Sequence, residues 1–273
     1  MLDNRACLRY RSDMPGFTII LSPAKSLEME APDIPSSVET TTPRFAGQTR
    51  ELAGVLAGFT AAKLASLMSI SPKLAAVNQE RWSAFGTRSN PRGPAAMCFR
   101  GDVYQGLQAW TMSTRSRRWA QEHVRILSGL YGLLRPLDRI QPYRLEMGTR
   151  LKTKKGANLY DFWGETIAKT LNRAAEGHAD PTLVNLASQE YFGAVDAKAL
   201  KLPVVTCHFK EEKGGELRVL GFFAKKARGR MARYVIDNRI DQAEALKGFD
   251  LDGYRFQPSL STDADWVFAR PQP

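Results

Sequence analysis

Apolar positions first gather at residues 17–21, FTIIL, a β-branched and aromatic run of strand length. The run ends in Ser22-Pro23-Ala24-Lys25, a turn carrying a hydroxyl and an amine. Residues 30–47 hold three prolines and five serines or threonines and read as a loop. A period near 3.6 begins at Gln48 and runs through Leu52, Val55, Leu56 and Phe59, predicting a helix. Residues 61–68 predict a second short helix. A third is predicted from Pro72, well placed in a first turn, to about Phe85. Residues 88–94 form another loop.

Residues 95–100 read as a strand leading into Gly101-Asp102-Val103-Tyr104, and residues 114–123 as a helix. Residues 124–134 read as a strand followed by a tight turn at Gly129 and Gly132. Residues 159–175 read as one amphipathic helix, and 182–186 as a strand opening into Ala187-Ser188-Gln189-Glu190-Tyr191-Phe192. Two strands, 204–209 and 217–222, are joined by Lys213-Gly214-Gly215, a hairpin signal. A long helix follows from about Phe223 to Ile240, and residues 266–268 form a last strand. Strands and helices alternate loosely. The predicted class is α+β (mixed α/β), a mixed central sheet flanked by helices, with a helical sub-lobe at 48–94.

Composition narrows the classes. The chain has 273 residues, 43% hydrophobic and 25% charged, ordinary values for a folded protein with a substantial core. It contains no run of the roughly 18 to 20 apolar residues needed to span a bilayer, so no membrane partner is expected. Residues 1–13 carry three arginines and two aspartates with no apolar stretch. They are expected to be a flexible extension outside a single compact domain at 14–273, with Met14 as an alternative start. Three scattered cysteines, Cys7, Cys98 and Cys207, fit a reducing cytoplasm. With three histidines and no ligand spacing, no metal or other cofactor is expected; Cys207 and His208 are neighbours on a predicted strand and point to opposite faces.

Charge changes the picture more. The net charge is +11, which favours polyanionic partners. It is concentrated: eleven Lys or Arg against three acids between residues 115 and 155, and six against one between 222 and 239. Lys226, Arg230 and Arg233 share one face of the predicted long helix, suited to a phosphate backbone or to plain solvation. The two short helices joined at Ser69-Ile70-Ser71, with Lys73 just after, are similar to a helix-hairpin-helix, with serine at both usual glycine positions; an ordinary helical hairpin fits equally. Polar groups also collect at strand ends: Ser22, Lys25, Asp102, Tyr104, Arg144, Glu146, Ser188 and Glu190. In open sheets such ends converge on a crevice. There Lys25, Asp102, Glu146 and Glu190 are candidate acid–base groups, with Tyr104 or Tyr191 to stack on a base, or else a salt-bridge network holding loops. No P-loop, GxGxxG, HExxH or GxSxG motif is present.

Six ordered segments carry a family resemblance: SPAK at 22–25, FRGDVY at 99–104, LSGLYGLLRPLD at 127–138, QPYRLEMG at 141–148, NLASQEYF at 185–192 and FFAKKARG at 222–229. Together they resemble the YaaA family of bacterial peroxide-stress proteins. Arg100 stands where that family's KGDVY has lysine. The resemblance implies a cytoplasmic protein that helps cells survive hydrogen peroxide and is linked to lower free iron. It also implies binding of double-stranded or branched DNA through a helix-hairpin-helix at Ser69, Ser71 and Lys73. A basic cleft, falling on Lys25, Arg144, Lys225, Lys226 and Arg228, is implied as well. Any iron effect is expected to be indirect, and the chain to act as a monomer. The alternative is an enzyme acting on a nucleotide or damaged base in the strand-end cleft.

Overall fold

The computed structural model describes residues 16–29 and 38–273. The expected extension at 1–13, Met14, and residues 30–37 of the first predicted loop lie outside the described residues. Seven strands pair edge to edge in the order Arg255–Phe256, Asp265–Pro271, Val204–Lys213, Leu183–Leu186, Thr18–Leu21, Val124–Ser128, Gly132–Leu134, and Glu216–Arg218 adds an eighth beside Val204–Lys213. The five strands from Asp265–Pro271 to Val124–Ser128 run parallel, and the pairs at both edges are antiparallel. This is the mixed sheet flanked by helices expected of the class. Thr18–Leu21, Leu183–Leu186 and Val124–Ser128 are buried throughout, because parallel strands are covered on both faces. Their carboxyl ends, at Leu21, Leu186 and Ser128, leave the sheet on one side.

Local chemistry accounts for the departures from the sequence pattern. Residues 95–100 are not one strand. Ala95–Cys98 is a short helix, and only Phe99–Arg100 is extended, paired with Ser26–Leu27. The short apolar run Ala-Ala-Met-Cys carries no decisive period, and two alanines after Pro94 favour a helical turn. The Ala95 and Ala96 amides donate to the carbonyls of Asp138 and Pro136, which secures it. After Gly132, whose φ is +68°, the chain turns back as the edge strand Gly132–Leu134. Residues 159–175 are two helices, Leu159–Trp163 and Thr166–Ala174, broken at Gly164 with φ +44° and ψ −130°. Gly214 and Gly215, at φ +62° and +80°, make the expected hairpin, but its second strand is only Glu216–Arg218, not 217–222, and the long helix begins already at Gly221.

Three helices, Ala46–Ala57, Ala61–Met68 and Pro72–Ala84, occupy the segment expected to be helical. Leu52, Leu56, Leu64, Ala75 and Trp82 are buried in the same apolar cluster as the sheet. Phe45 packs on Trp163 and Phe85 on Tyr131, joining these helices to the rest of the core. Ser69 has left-handed φ and ψ of 50° and 52°, and the Ser71 hydroxyl caps the third helix by accepting from the Leu74 amide at 3.3 Å.

The long helix Gly221–Asn238 crosses the helix Asp102–Leu107 at two glycines. A Cβ at Gly229 would overlap the Val103 carbonyl oxygen, and one at Gly106 would overlap the Lys226 carbonyl. Backbone therefore meets backbone, and only glycine fits on either side. Nearby, His123 is stacked between Trp119 and His178, at centroid distances of 3.9 and 4.9 Å, and its Nδ1–H donates to the Phe17 carbonyl. Burial, with His178 alongside, pushes its pKa down to about 4.

Two outcomes follow from this packing. Gly229→Ala will lower stability by about 1–3 kcal/mol or more in a denaturant melt, whereas Gly54→Ala, a helical site with nothing within 4 Å, will be neutral or stabilising. His123 is neutral in the fold, and its unfolded pKa is about 6.5. The unfolded chain therefore binds the extra proton between pH 6.5 and about 4, and stability falls across that window as pH drops, by on the order of 3 kcal/mol from this group. Urea melts across the window will show the slope, and His123→Phe will reduce it, leaving the part due to His178, whose pKa burial also lowers.

Candidate functional site

The strand-end residues converge. A cleft of about 380 Å³ opens where the neighbouring strands Thr18–Leu21 and Leu183–Leu186 end, lined by Ser22, Lys25, Arg100, Asp102, Tyr104, Ser188, Glu190, Tyr191, Lys225 and Arg228. A smaller hollow adjoins it, sharing Lys25 and Tyr191 and adding Tyr143, Arg144 and Glu146. Thus Lys25, Asp102, Glu146, Glu190, Arg144, Lys225 and Arg228, which lie up to two hundred residues apart in the chain, surround one depression.

Short polar ties hold its floor. The Ser22 hydroxyl accepts from the Ser188 amide at 2.9 Å and donates to the Ser188 hydroxyl at 3.3 Å, joining the ends of two neighbouring strands. Tyr104, fully buried, donates to the Ser22 carbonyl at 3.0 Å. Burial, then the nearby Tyr143 and Tyr191, raises the Tyr104 pKa well above its ordinary value, so its phenol stays a donor. Ser188 also caps the turn Gln189–Phe192, accepting from the Tyr191 amide.

Two of the three carboxylates around it are already committed. Glu146 accepts from Lys25 at 2.6 Å on one oxygen and from Arg144 at 3.0 Å on the other. Glu190 accepts from the Gly148 amide at 2.9 Å, holding the QPYRLEMG segment against the cleft, and its carbonyl accepts from Tyr160 at 3.0 Å. Asp102 lies in the first turn of its own helix, where peptide dipoles favour a negative charge.

The cations are met less fully. Arg228 is half-buried beside Tyr104, and its Nε, fully enclosed, has no hydrogen-bond partner among the described residues. Burial lowers its pKa, with Cys207 behind it opposing. Lys225, on the same wall, is exposed and makes no ion pair among the described residues. Arg100 lines the cleft too, bound to Glu28 at 3.0 Å and lying over the Trp110 ring. On the neighbouring face of the long helix, Lys226 is exposed, but Arg230 pairs with Asp252 at 3.4 Å. Arg233 pairs with Asp237 at 2.7 Å and donates to the Leu107 and Gln108 carbonyls and to Thr111. The three share a face as their spacing requires; two of them tie the helix to the body.

Ser69, Ser71 and Lys73 are exposed at the turn between the second and third helices, outside the strand-end cleft. The third helix reaches the cleft region at Arg81, whose pKa is lowered by burial and by neighbouring Arg144. Sequence reasoning missed Arg81 and Arg100. Arg81 follows Glu80 on a polar stretch that reads as a solvated face, whereas Arg100 had a signal in its place just before Gly101-Asp102. Cys207 is buried, its thiol pushed up to about 12, while His208 points outward to Asp265 at 2.7 Å. Among the described residues no group of three His, Cys, Asp or Glu is placed to hold a metal ion.

The sequence model of a family described as "Peroxide stress protein YaaA" matches residues 17–260. A UPF0246 protein of Caulobacter vibrioides (strain NA1000 / CB15N) is 71% identical over 255 residues, covering 93% of this chain and 99% of the relative. A UPF0246 protein of Caulobacter sp. (strain K31) is 67% identical over the same shares. One from Phenylobacterium zucineum (strain HLK1) is 59% identical, covering 93% of this chain and 95% of the relative. With most of its length matched and all six segments inside the matched range, the chain belongs to the bacterial family of peroxide stress proteins named YaaA.

Proposed function

We propose that this protein binds double-stranded or branched DNA in the cytoplasm during peroxide stress and thereby limits iron-driven oxidative damage to it. The observation that carries the reading is the unequal satisfaction of charge around the cleft. Glu146 and Glu190 are held by protein groups, whereas Arg228 and Lys225 have no anionic partner among the described residues. A desolvated guanidinium without a partner is costly, and an incoming phosphate restores its hydrogen bonds. Lys25, Arg144 and Lys226 extend the positive rim. Ser69, Ser71 and Lys73 provide a second contact, where a helix amino terminus meets phosphate without reading bases. The protein acts as a monomer and needs no cofactor in this scheme.

A second reading draws on the convergence of Lys25, Asp102 and Glu190 beside Tyr104 and Tyr191. In that reading the same cleft takes up an extruded base for acid–base chemistry. The commitment of Glu146 and Glu190 to protein partners favours binding over catalysis.

Fluorescence anisotropy with a short labelled duplex tests both. With about four phosphates neutralised, affinity will fall roughly a hundredfold between about 50 and 200 mM salt and vary little with sequence. Lys225→Ala, an exposed site, will weaken every duplex alike, and Lys225→Ala with Arg228→Lys will weaken it further. Absence of binding at low salt, or a flat salt response, rejects the proposal. Release of a base from an oxidised duplex in the same mixtures would establish the second reading.

A further inference from the structure

A second cleft, of about 450 Å³, shares no lining residue with the first. It lies against the amino-terminal part of the strand Val124–Ser128, whereas the strand-end cleft follows the carboxyl ends of the parallel strands. Four arginines line it: Arg44, Arg125, Arg135 and Arg173. Arg135 is satisfied. It clasps Asp138, a residue 1% exposed, which also accepts from Thr41 at 2.6 Å and from the Arg135 amide at 2.8 Å.

Arg125 is different. It is only 8% exposed, an uncommon place for a guanidinium. One terminal nitrogen donates to the Gln121 and Val124 carbonyls at 2.9 and 2.8 Å, and no carboxylate lies within ion-pair distance among the described residues. The other nitrogens of the guanidinium have no partner there, and the residue lines the cleft. Burial is the largest influence on its pKa, lowering it to about 10, so it stays charged at neutral pH but poorly hydrated. At the rim, Arg44 makes no ion pair among the described residues, and Arg173 reaches only the Thr170 hydroxyl at 3.5 Å. Glu122 and Glu176 stand beside them, both exposed.

We propose that this cleft binds a small phosphomonoester carrying hydroxyl groups, such as a sugar phosphate or a mononucleotide. The phosphoryl group sits on Arg125, with Arg44 and Arg173 closing on it from the rim, a planar donor geometry that suits phosphate oxygens. Thr42, Glu122 and Glu176 offer acceptors for the hydroxyl-bearing remainder. The cleft volume falls within the range of small-ligand sites and is bounded by the edge of the sheet and the helix Thr166–Ala174.

Titration calorimetry of the full chain with ribose 5-phosphate, inorganic phosphate and ribose, at constant ionic strength, tests this. Saturable binding of ribose 5-phosphate, weaker binding of phosphate and none of ribose are expected. Arg44→Ala with Arg173→Ala, both exposed, will weaken ribose 5-phosphate at least about tenfold, and Lys225→Ala will leave it unchanged. Arg125→Met will abolish it; should that variant fail to fold, the exposed pair decides. No saturation, or equal binding of ribose, overturns the proposal. So does a loss seen with Lys225→Ala but not with the Arg44 and Arg173 changes, since that places the anion in the strand-end cleft. Loss of duplex binding in the Arg44 and Arg173 variant, with ribose 5-phosphate unaffected, would assign these arginines to nucleic acid and likewise overturn it.

Discussion

The backbone contact between the helices Asp102–Leu107 and Gly221–Asn238 governs the geometry of the strand-end cleft. At Gly106 and Gly229 the two helices approach until no side chain fits between them. The cleft residues carried by these two helices take their positions from that crossing. Tyr104 is carried under the cleft floor and Asp102 to its lip, while Lys225 and Arg228 stand on the facing wall. A larger residue at either glycine would separate the helices, and the wall would move away from the floor. Arg233, bound to the Leu107 and Gln108 carbonyls, locks the same pair of helices from outside. Its charge is spent on the fold.

The floor depends on a different kind of tie. Ser22, Ser188 and Tyr104 form a chain of hydrogen bonds at the ends of two neighbouring parallel strands. Parallel strands leave their carboxyl ends together, and such ends are where side chains from distant segments meet. The loops carrying Lys25 and Glu190 therefore start from fixed points. Glu190 then reaches the Gly148 amide and Glu146 reaches Lys25, so the Arg144 segment is drawn to the same place. Glu146 and Glu190 act as clamps on loops, which leaves Lys225 and Arg228 without an anionic partner among the described residues.

Much of this was legible in the sequence. Ser22, Lys25, Ser188 and Glu190 are legible as a group because hydroxyl, amine and carboxylate groups follow apolar runs of strand length; Asp102 and Tyr104 join them in the cleft although the run before them, Ala95–Cys98, is helical. The three short helices were legible from their period and from Pro72. The charge clusters are less legible. Eleven cations between residues 115 and 155 look like one patch along the chain. In space Arg125 and Arg135 line the second cleft, Arg144 joins the first, and Lys155 pairs with Glu51 and lies over Phe162. A strand carries the chain from one end of the sheet to the other, so neighbours in sequence part company. Arg230 and Arg233 show the complementary limit: helical spacing places them on one face but is silent about Asp252 and Asp237, which meet them there. The break at Gly164 was hidden because both halves of the segment keep the same apolar phase.

Amide hydrogen exchange on the full chain, with and without a saturating short duplex at low salt, tests the central claim most directly. Bound duplex is expected to slow exchange at residues 22–27, 100–106, 144–148 and 188–192 and in the amino-terminal half of the helix Gly221–Asn238, the segments that surround one cleft. Protection confined to other surfaces, or an unchanged pattern under saturating duplex, would contradict the account.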